Sequence, residues 1–467
     1  MHKQLKNHSM EENMKKKLLS LLLASVTALS VAGGLAACNN GSSNSGNAAG
    51  LDPSEFNKVT HWDDPMLDNA NANNDKVEAC TIRVWAPVEV IPTYTALMNE
   101  FTSDSYHDGK YSNVTINFQA MEEGEVRENL GTDASAGADV FFFPSDHMGD
   151  FIKSNYLAPL RGATGSYYSA AITQRDSETT YAPAMKDGYC YAFPTTSDNG
   201  YYLVYNKNDL TETEAGSLDT IIAKAKTANK SFMYRYGTGF YAATFFFGEG
   251  VELDANGADS DFSSFMSESG ERGAKAMIKY INSGYCQDGE TPAIIDLGAN
   301  GAAVNGIIDG TLIAGVCGAW EAPTKEQQAT VGLAKLPTFT SVDGSQKQMG
   351  SFFGGKYCGV NSSSQNQQVA MAVANFLTNT KAQTTRFAAH QAGPTNKVVS
   401  NLNEVKENAP LAALAAQVAA GGVLQGNIPG TWWSGLETYV DDIEAGNITE
   451  TNLGLADMVA AMTPEKA

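Results

Sequence analysis

Histidine is scarce in this sequence: six occur in 467 residues. The body carries only His107, His147 and His390, too few and too scattered for a metal cluster. No His-Glu-x-x-His run and no Gly-x-Ser-x-Gly elbow is present, so zinc-protease and serine-hydrolase chemistry lack their signatures. Cysteine is also sparse, at Cys38, Cys80, Cys190, Cys286, Cys317 and Cys358, and no pair has Cys-x-x-Cys spacing. That leaves a zinc ribbon or redox motif unsupported. With Cys38 set aside the count is odd. A Cys317–Cys358 disulfide is one option, and buried free thiols are the better one. Positive charge is short as well: 31 Lys and Arg stand against 52 Asp and Glu, a net charge of −21. Five lysines and two glutamates precede Cys38, so the remainder holds 26 basic and 50 acidic residues, near −24. Such a surface repels phosphate backbones and excludes nucleic acid as a partner. Beyond the N-terminal segment no apolar run reaches the length of a membrane span. No metal or cofactor is expected.

What is present begins at the N-terminus. Lys15 to Lys17 form a positive cluster, and Leu18 to Gly34 is apolar or small. This is the pattern of a secretory signal, with Met14 read as the start and residues 1–13 as an upstream extension. The segment ends Leu35-Ala36-Ala37-Cys38, which resembles the bacterial lipobox. That resemblance implies removal of residues 1–37 and lipid attachment at Cys38, facing the outside of the cell membrane. Asn39 to Gly50 is Asn, Ser, Gly and Ala, a run that buries nothing and suits a tether. Residues 38–78 are read as that tether.

The body alternates strand-like and helix-like segments. Thr81–Trp85, Val114–Gln119 and Ala138–Phe143 read as strands, with helical spacing over Pro92–Phe101 and Glu122–Leu130. Strand, helix, strand, helix, strand implies a doubly wound α/β lobe, which places ligands at the carboxyl ends of its strands. Further on, Tyr189–Phe193 and Tyr201–Tyr205 read as strands on either side of a turn, Pro194 to Gly200. Ser231–Tyr236, Leu312–Cys317 and Val331–Leu336 read as strands. Leu218–Ala228, Val369–Leu377 and Leu411–Ala419 read as helices. The length beyond Cys80 exceeds what one core usually holds, so two lobes are expected.

Four segments then resemble one family. They are TIRVWAP from Thr81, AGADVFFFPSDHMGDFIKSNYLAPL from Ala136, YAFPTTSDNGYYLVYNKNDL from Tyr191, and GPTNK at Gly393 with LQGNIPGTWW from Leu424. Together they resemble the extracellular solute-binding proteins of carbohydrate ABC importers, of the maltose/maltodextrin-binding type. The resemblance implies two α/β lobes joined by a hinge, the type II periplasmic-binding-protein-like fold, with sugar held between them. The lobes would be 79–196 plus 346–395, and 200–345 plus 400–467. It implies a monomer that binds malto-oligosaccharides and hands them to the importer's membrane subunits, without catalysis.

A pyranose offers an apolar face and a hydroxyl rim, so its site needs aromatic rings and planar hydrogen-bonding groups. The resemblance matches Phe143, Asp146 and His147 after the third strand, Asp198 beside Asn199, and Phe240 or Tyr241 after Thr238. Trp320, Trp432 and Trp433 match stacking positions, with Trp433 favoured over its neighbour. Trp85 ends the first strand and is a further candidate. Glu321 and Glu437 lie close to these tryptophans and rank lower. His147 departs from the family in size and charge, and Thr238 stands where a Glu is common. Gly350 to Lys356 has phosphate-loop spacing but is followed by Tyr357, so the magnesium-binding hydroxyl is missing. A secreted polysaccharide-degrading lipoprotein, acting through paired carboxylates, and a receptor for another oligosaccharide are the alternatives.

Overall fold

The computed structural model describes residues 76–161, 167–255, 257–287 and 301–465. The signal, Cys38 and residues up to 75 lie outside the described residues. The expected tether, 38–78, is overrun at its end: the Val77 N–H donates to the Lys110 carbonyl at 2.8 Å and its side chain packs on the first core, so residues 76–78 belong to the body. Three strands open the fold: β1 (Cys80–Ala86), β2 (Val114–Ala120) and β3 (Val140–Pro144). Helix α1 (Ile91–Phe101) connects the first two, and α2 (Val126–Asp133) precedes the third. α1 starts with Pro92 in its first turn, where a missing N–H costs nothing. It buries Tyr94, Leu97, Met98 and Phe101, the i, i+3, i+4, i+7 stripe of an amphipathic helix. β1 pairs in parallel with both β2 and β3.

The chain then enters β4 (Ala192–Asn206), fifteen residues long. The sequence predicts two strands and a turn here, and the structure has one continuous strand. Its partner is β9 (Ser351–Val360), introduced out of order because it runs antiparallel alongside. Tyr357 faces Pro194, Lys356 faces Thr196 and Gly354 faces Asn199, with register shifts on both sides of Lys356. Bulges of this kind absorb a proline and a turn-like Asp-Asn-Gly run without ending the pairing. Between β4 and β9 lie β5 (Ser231–Met233), β6 (Cys286–Gln287), β7 (Leu312–Gly318) and β8 (Val331–Ala334). After β9 comes β10 (Gly422–Leu424). The ten strands form one sheet in the order β2-β1-β3-β9-β4-β7-β5-β6, with β8 on β4 and β10 on β9.

Two of the four buried clusters are the largest. One holds Ile82, Val84, Phe142 and Phe193 with Cys358 and Ala370 to Ala374. The other holds Tyr201, Phe232, Phe245 and Phe352 with Trp432 and Leu436. β4 therefore enters with Phe193 in one core and leaves with Tyr201 in the other. β9 makes the reverse passage from Phe352 to Cys358. The molecule has two α/β lobes joined through this pair of strands. Later helices include α3 (Leu218–Ala228), α4 (Ala409–Gly421) and α5 (Gly430–Glu444), of which α5 lines the site. No described helix is long and apolar enough to cross a membrane.

Cys80, Cys190, Cys286, Cys317 and Cys358 are all free thiols. A Cys317–Cys358 bridge is ruled out because the two sulfurs belong to different cores. Burial pushes the Cys190 and Cys286 thiols up to about 12, so neither is a ready nucleophile.

Candidate ligand-binding cleft

Between the two cores lies a cavity of about 620 Å³, within the range of small-molecule sites. β3 delivers one wall. It ends at Pro144 and runs into a short turn, Ser145–His147, so Asp146 and His147 come off a strand's carboxyl end. The start of α2 adds Arg127, with Glu123 just before it. The opposite wall carries Arg235, Thr238, Phe240 and Tyr241 after β5, Trp320 after β7, and Trp433 and Glu437 on α5. Asn199 of β4, Lys356 of β9 and Gln425 form the floor where the lobes join.

The first wall is a hydrogen-bonded unit. Arg127 Nη1 donates to the Ile428 carbonyl at 3.0 Å, and Nη2 donates to the Asp146 carbonyl at 3.1 Å. The Asp146 carboxylate accepts from Arg127 at 3.4 Å and from Gln425 Nε2 at 2.9 Å. Gln425 Oε1 in turn accepts from Asn199 Nδ2 at 2.9 Å. Asp146 is 1 % exposed. Burial raises its carboxyl to about 6, against the pull of the Arg127 guanidinium. His147 is buried beside it, and burial together with Arg127 holds the imidazole well below its ordinary value. His147 is therefore neutral at pH 7.

The second wall is aromatic with one buried ion pair behind it. Arg235 Nη2 donates to Glu321 Oε1 at 2.7 Å, with the Glu321 side chain 1 % exposed. Phe240 stands between Trp320, at 5.9 Å, and Phe352, at 5.7 Å. Glu437 accepts from the Gly239 N–H at 3.0 Å, tying α5 to the turn that carries Phe240. Trp433 packs across Gly239, where a Cβ would fall 3.1 Å from the indole. That close approach seats the ring against the cleft.

Of the ten leading candidates six meet here, Asp146, His147, Phe240, Tyr241, Trp320 and Trp433, and of the two lower-ranked glutamates Glu437 joins them while Glu321 lies behind the wall. Four of the ten do not line the cavity. Trp85 is buried in β1, its Nε1 donating to Gln119 at 3.0 Å. Phe143 points into the core against Phe151 and Tyr357. Asp198 is buried on β4 and accepts from the Gly393 N–H at 2.5 Å. Trp432 is fully buried against Phe262, Phe265 and Phe352. Alternation explains two of these. Side chains on successive strand positions face opposite ways, so Asn199 takes the cleft face that Asp198 does not. On α5, Trp432 and Trp433 are a hundred degrees apart and cannot share one environment.

Sequence reasoning passed over Arg127, Arg235, Lys356 and Gln425. Arg235 lies near the end of the expected strand Ser231–Tyr236, and Gln425 lies inside the segment LQGNIPGTWW. Lys356 was visible only as the end of a phosphate-loop-like run. Arg127 had no signal beyond a charged helix.

Comparisons with known proteins agree with this architecture. A solved structure determined with acarbose superposes at a TM-score of 0.69 with 24% identity, covering 82% of this chain and 99% of that one. The maltodextrin binding protein MalE1 from L. casei BL23, solved without ligand, superposes at 0.63 with 19% identity, covering 84% and 100%. The galactooligosaccharide-binding protein of Bacillus subtilis (strain 168) is 26% identical over 293 residues, 59% of this chain. The match spans 64% of that relative, under two thirds of its length. The family model for bacterial extracellular solute-binding proteins matches residues 96–413, more than half of the chain. With two α/β lobes, a cleft between them and this match, the chain belongs to the bacterial extracellular solute-binding proteins.

Proposed function

We propose that this protein captures malto-oligosaccharides in the cleft and delivers them to the membrane subunits of an ABC importer. The observation that carries the reading is the pairing of walls across one cavity. Trp320, Trp433 and Phe240 offer flat apolar surface on one side, and Asp146 with Arg127 offers hydrogen-bonding groups on the other. A pyranose needs both. The likeness to a structure with acarbose and to a maltodextrin binding protein supports the same ligand class.

The lobes in this reading turn about the β4–β9 ribbon, and the boundary expected at 346 moves into β9, because Met349 and Phe352 still pack in the second core and Cys358 is in the first. Sugar that touches both walls favours the closed arrangement by its differential affinity, and the importer accepts that arrangement. No bond is made or broken. Cys38, lipid-modified after removal of residues 1–37, keeps the receptor at the outer face of the cell membrane.

The relative that binds galacto-oligosaccharides favours a second reading, a receptor for a differently linked oligosaccharide. Calorimetry with maltose through maltoheptaose, beside xylo-, cello- and galacto-oligosaccharides, separates the two. Binding within the malto series supports the first reading, and binding confined to the galacto series replaces it. Incubation with malto-oligosaccharides should leave their chain length unchanged. Shortening would overturn the assignment as a receptor.

A further inference from the structure

Lys356 joins three parts of the molecule. It sits on β9 between two register shifts, facing Thr196 of β4 on one side and Pro144 of β3 on the other. Two glycines precede it. A Cβ on Gly354 would fall 2.5 Å from Ser145 Oγ, and one on Gly355 would fall 2.9 Å from the Thr196 carbonyl. The run that imitates a phosphate loop is thus a bulge pressed against its neighbours, and bulges re-aim side chains. Here the bulge sends Lys356 into the cleft. Its Nζ pairs with Glu123 Oε2 of the first lobe at 2.5 Å, with both side chains mostly buried. The same ammonium lies over the ring of Trp320 in the second lobe, 5.2 Å from its centroid.

Trp320 has little other surface to offer. The indole lies back on Gly318, where a Cβ would fall 2.6 Å from Cε2 and Cζ2. Phe240 meets it at a tilt of 53°. Trp320 is nevertheless 38 % exposed, and Lys356 lies over its ring. We propose that Lys356 is a specificity-determining residue that covers the stacking face of Trp320, so that a ligand ring reaches the indole only by displacing the ammonium. The proposal rests on the reading of the cleft as a sugar site. Glu123 tethers the ammonium, so that Lys356 can leave the ring without leaving that carboxylate. The arrangement selects against rings that bring their own positive charge to Trp320, because the ammonium stays nearby.

The test uses the full chain labelled with 5-fluorotryptophan, with the Trp320 resonance assigned by Trp320→Phe. Without sugar, Lys356→Ala should shift that resonance, and Glu123→Gln should shift it in the same direction. In calorimetry, Lys356→Ala should tighten binding of the best ligand in the oligosaccharide screen about two- to fivefold, the lower range of cation–π contacts. An unmoved resonance in Lys356→Ala, or affinity that is unchanged or weaker, overturns the proposal. Absence of binding by every sugar in the screen would count against the sugar-site reading, while the fluorine resonance still decides whether Lys356 covers the ring.

Discussion

Gln425 holds Asp146: its Nε2 donates to Asp146 Oδ1 at 2.9 Å, and its Oε1 accepts from Asn199 on the joining strand at 2.9 Å. One amide thereby connects the carboxylate of the first wall to the floor of the cleft. Gln425→Leu would leave a buried carboxylate short of a donor, which costs about 1–3 kcal/mol. Urea unfolding should show that loss. A variant as stable as the wild type would mean that Asp146 finds its partners elsewhere.

The raised carboxyl of Asp146 gives stability a pH signature. Its value in the folded protein is about 6, against an ordinary 3.8. Between these limits the folded state keeps a proton that the unfolded chain has released. The charge is therefore a cost that is full above about pH 6 and is relieved as pH falls toward about pH 4. Asp146→Asn removes the titration. The stability of the wild type relative to Asp146→Asn should rise between about pH 7 and about pH 4.5. A constant difference across that span would show that Asp146 titrates normally.

The adjacent tryptophans should behave as different kinds of residue. Trp432 is fully buried, so Trp432→Ala should cost about 3–5 kcal/mol of stability. Trp433 faces the cleft, as does Trp320. Alanine at either should weaken sugar binding by about 2 kcal/mol or more, as anchor truncations do. Thermal unfolding and calorimetry on the three variants form the comparison. Equal stability losses for Trp432→Ala and Trp433→Ala would contradict the placement of the pair.

Behind the aromatic wall, Glu321 depends on Arg235. The pair is 2.7 Å apart, and among the described residues Glu321 Oε2 has no hydrogen-bond partner. Arg235→Met strands a buried carboxylate and should cost roughly 3–5 kcal/mol. The double variant Arg235→Met with Glu321→Gln should recover much of that. If the second change adds to the loss, the Arg235 effect comes from packing and not from charge.

How far the sequence carried the fold follows from what each segment does locally. Ile91–Phe101 and Leu218–Ala228 were legible because their burial follows the helical period, and Cys80–Ala86 because Thr81, Ile82 and Val84 are β-branched. β4 was not, since Pro194 and Asp198-Asn199-Gly200 have turn chemistry and only β9, more than 150 residues away, overrides it. Within the cleft, Trp320 and Asp146 were legible from their place after strands. Asn199 was noted only as the neighbour of Asp198. Which of the two faces the cleft depends on strand phase, and phase across a bulge is not written in either residue. Gln425 and Lys356 act through partners hundreds of residues distant, Asp146 and Glu123, which spacing does not reveal.

The double passage of the chain between the cores has a consequence for how the protein is made. The core around Ile82 and Phe193 also needs Cys358, Phe376 and Ala382. The core around Tyr201 also needs Trp432 and Met462. Neither can be completed from an N-terminal fragment, so a chain emerging from the ribosome reaches residue 382 before any lobe can close. The contacts that close each lobe span long sequence separations, the slow class of folding. Late completion keeps the polypeptide threadable for most of its synthesis.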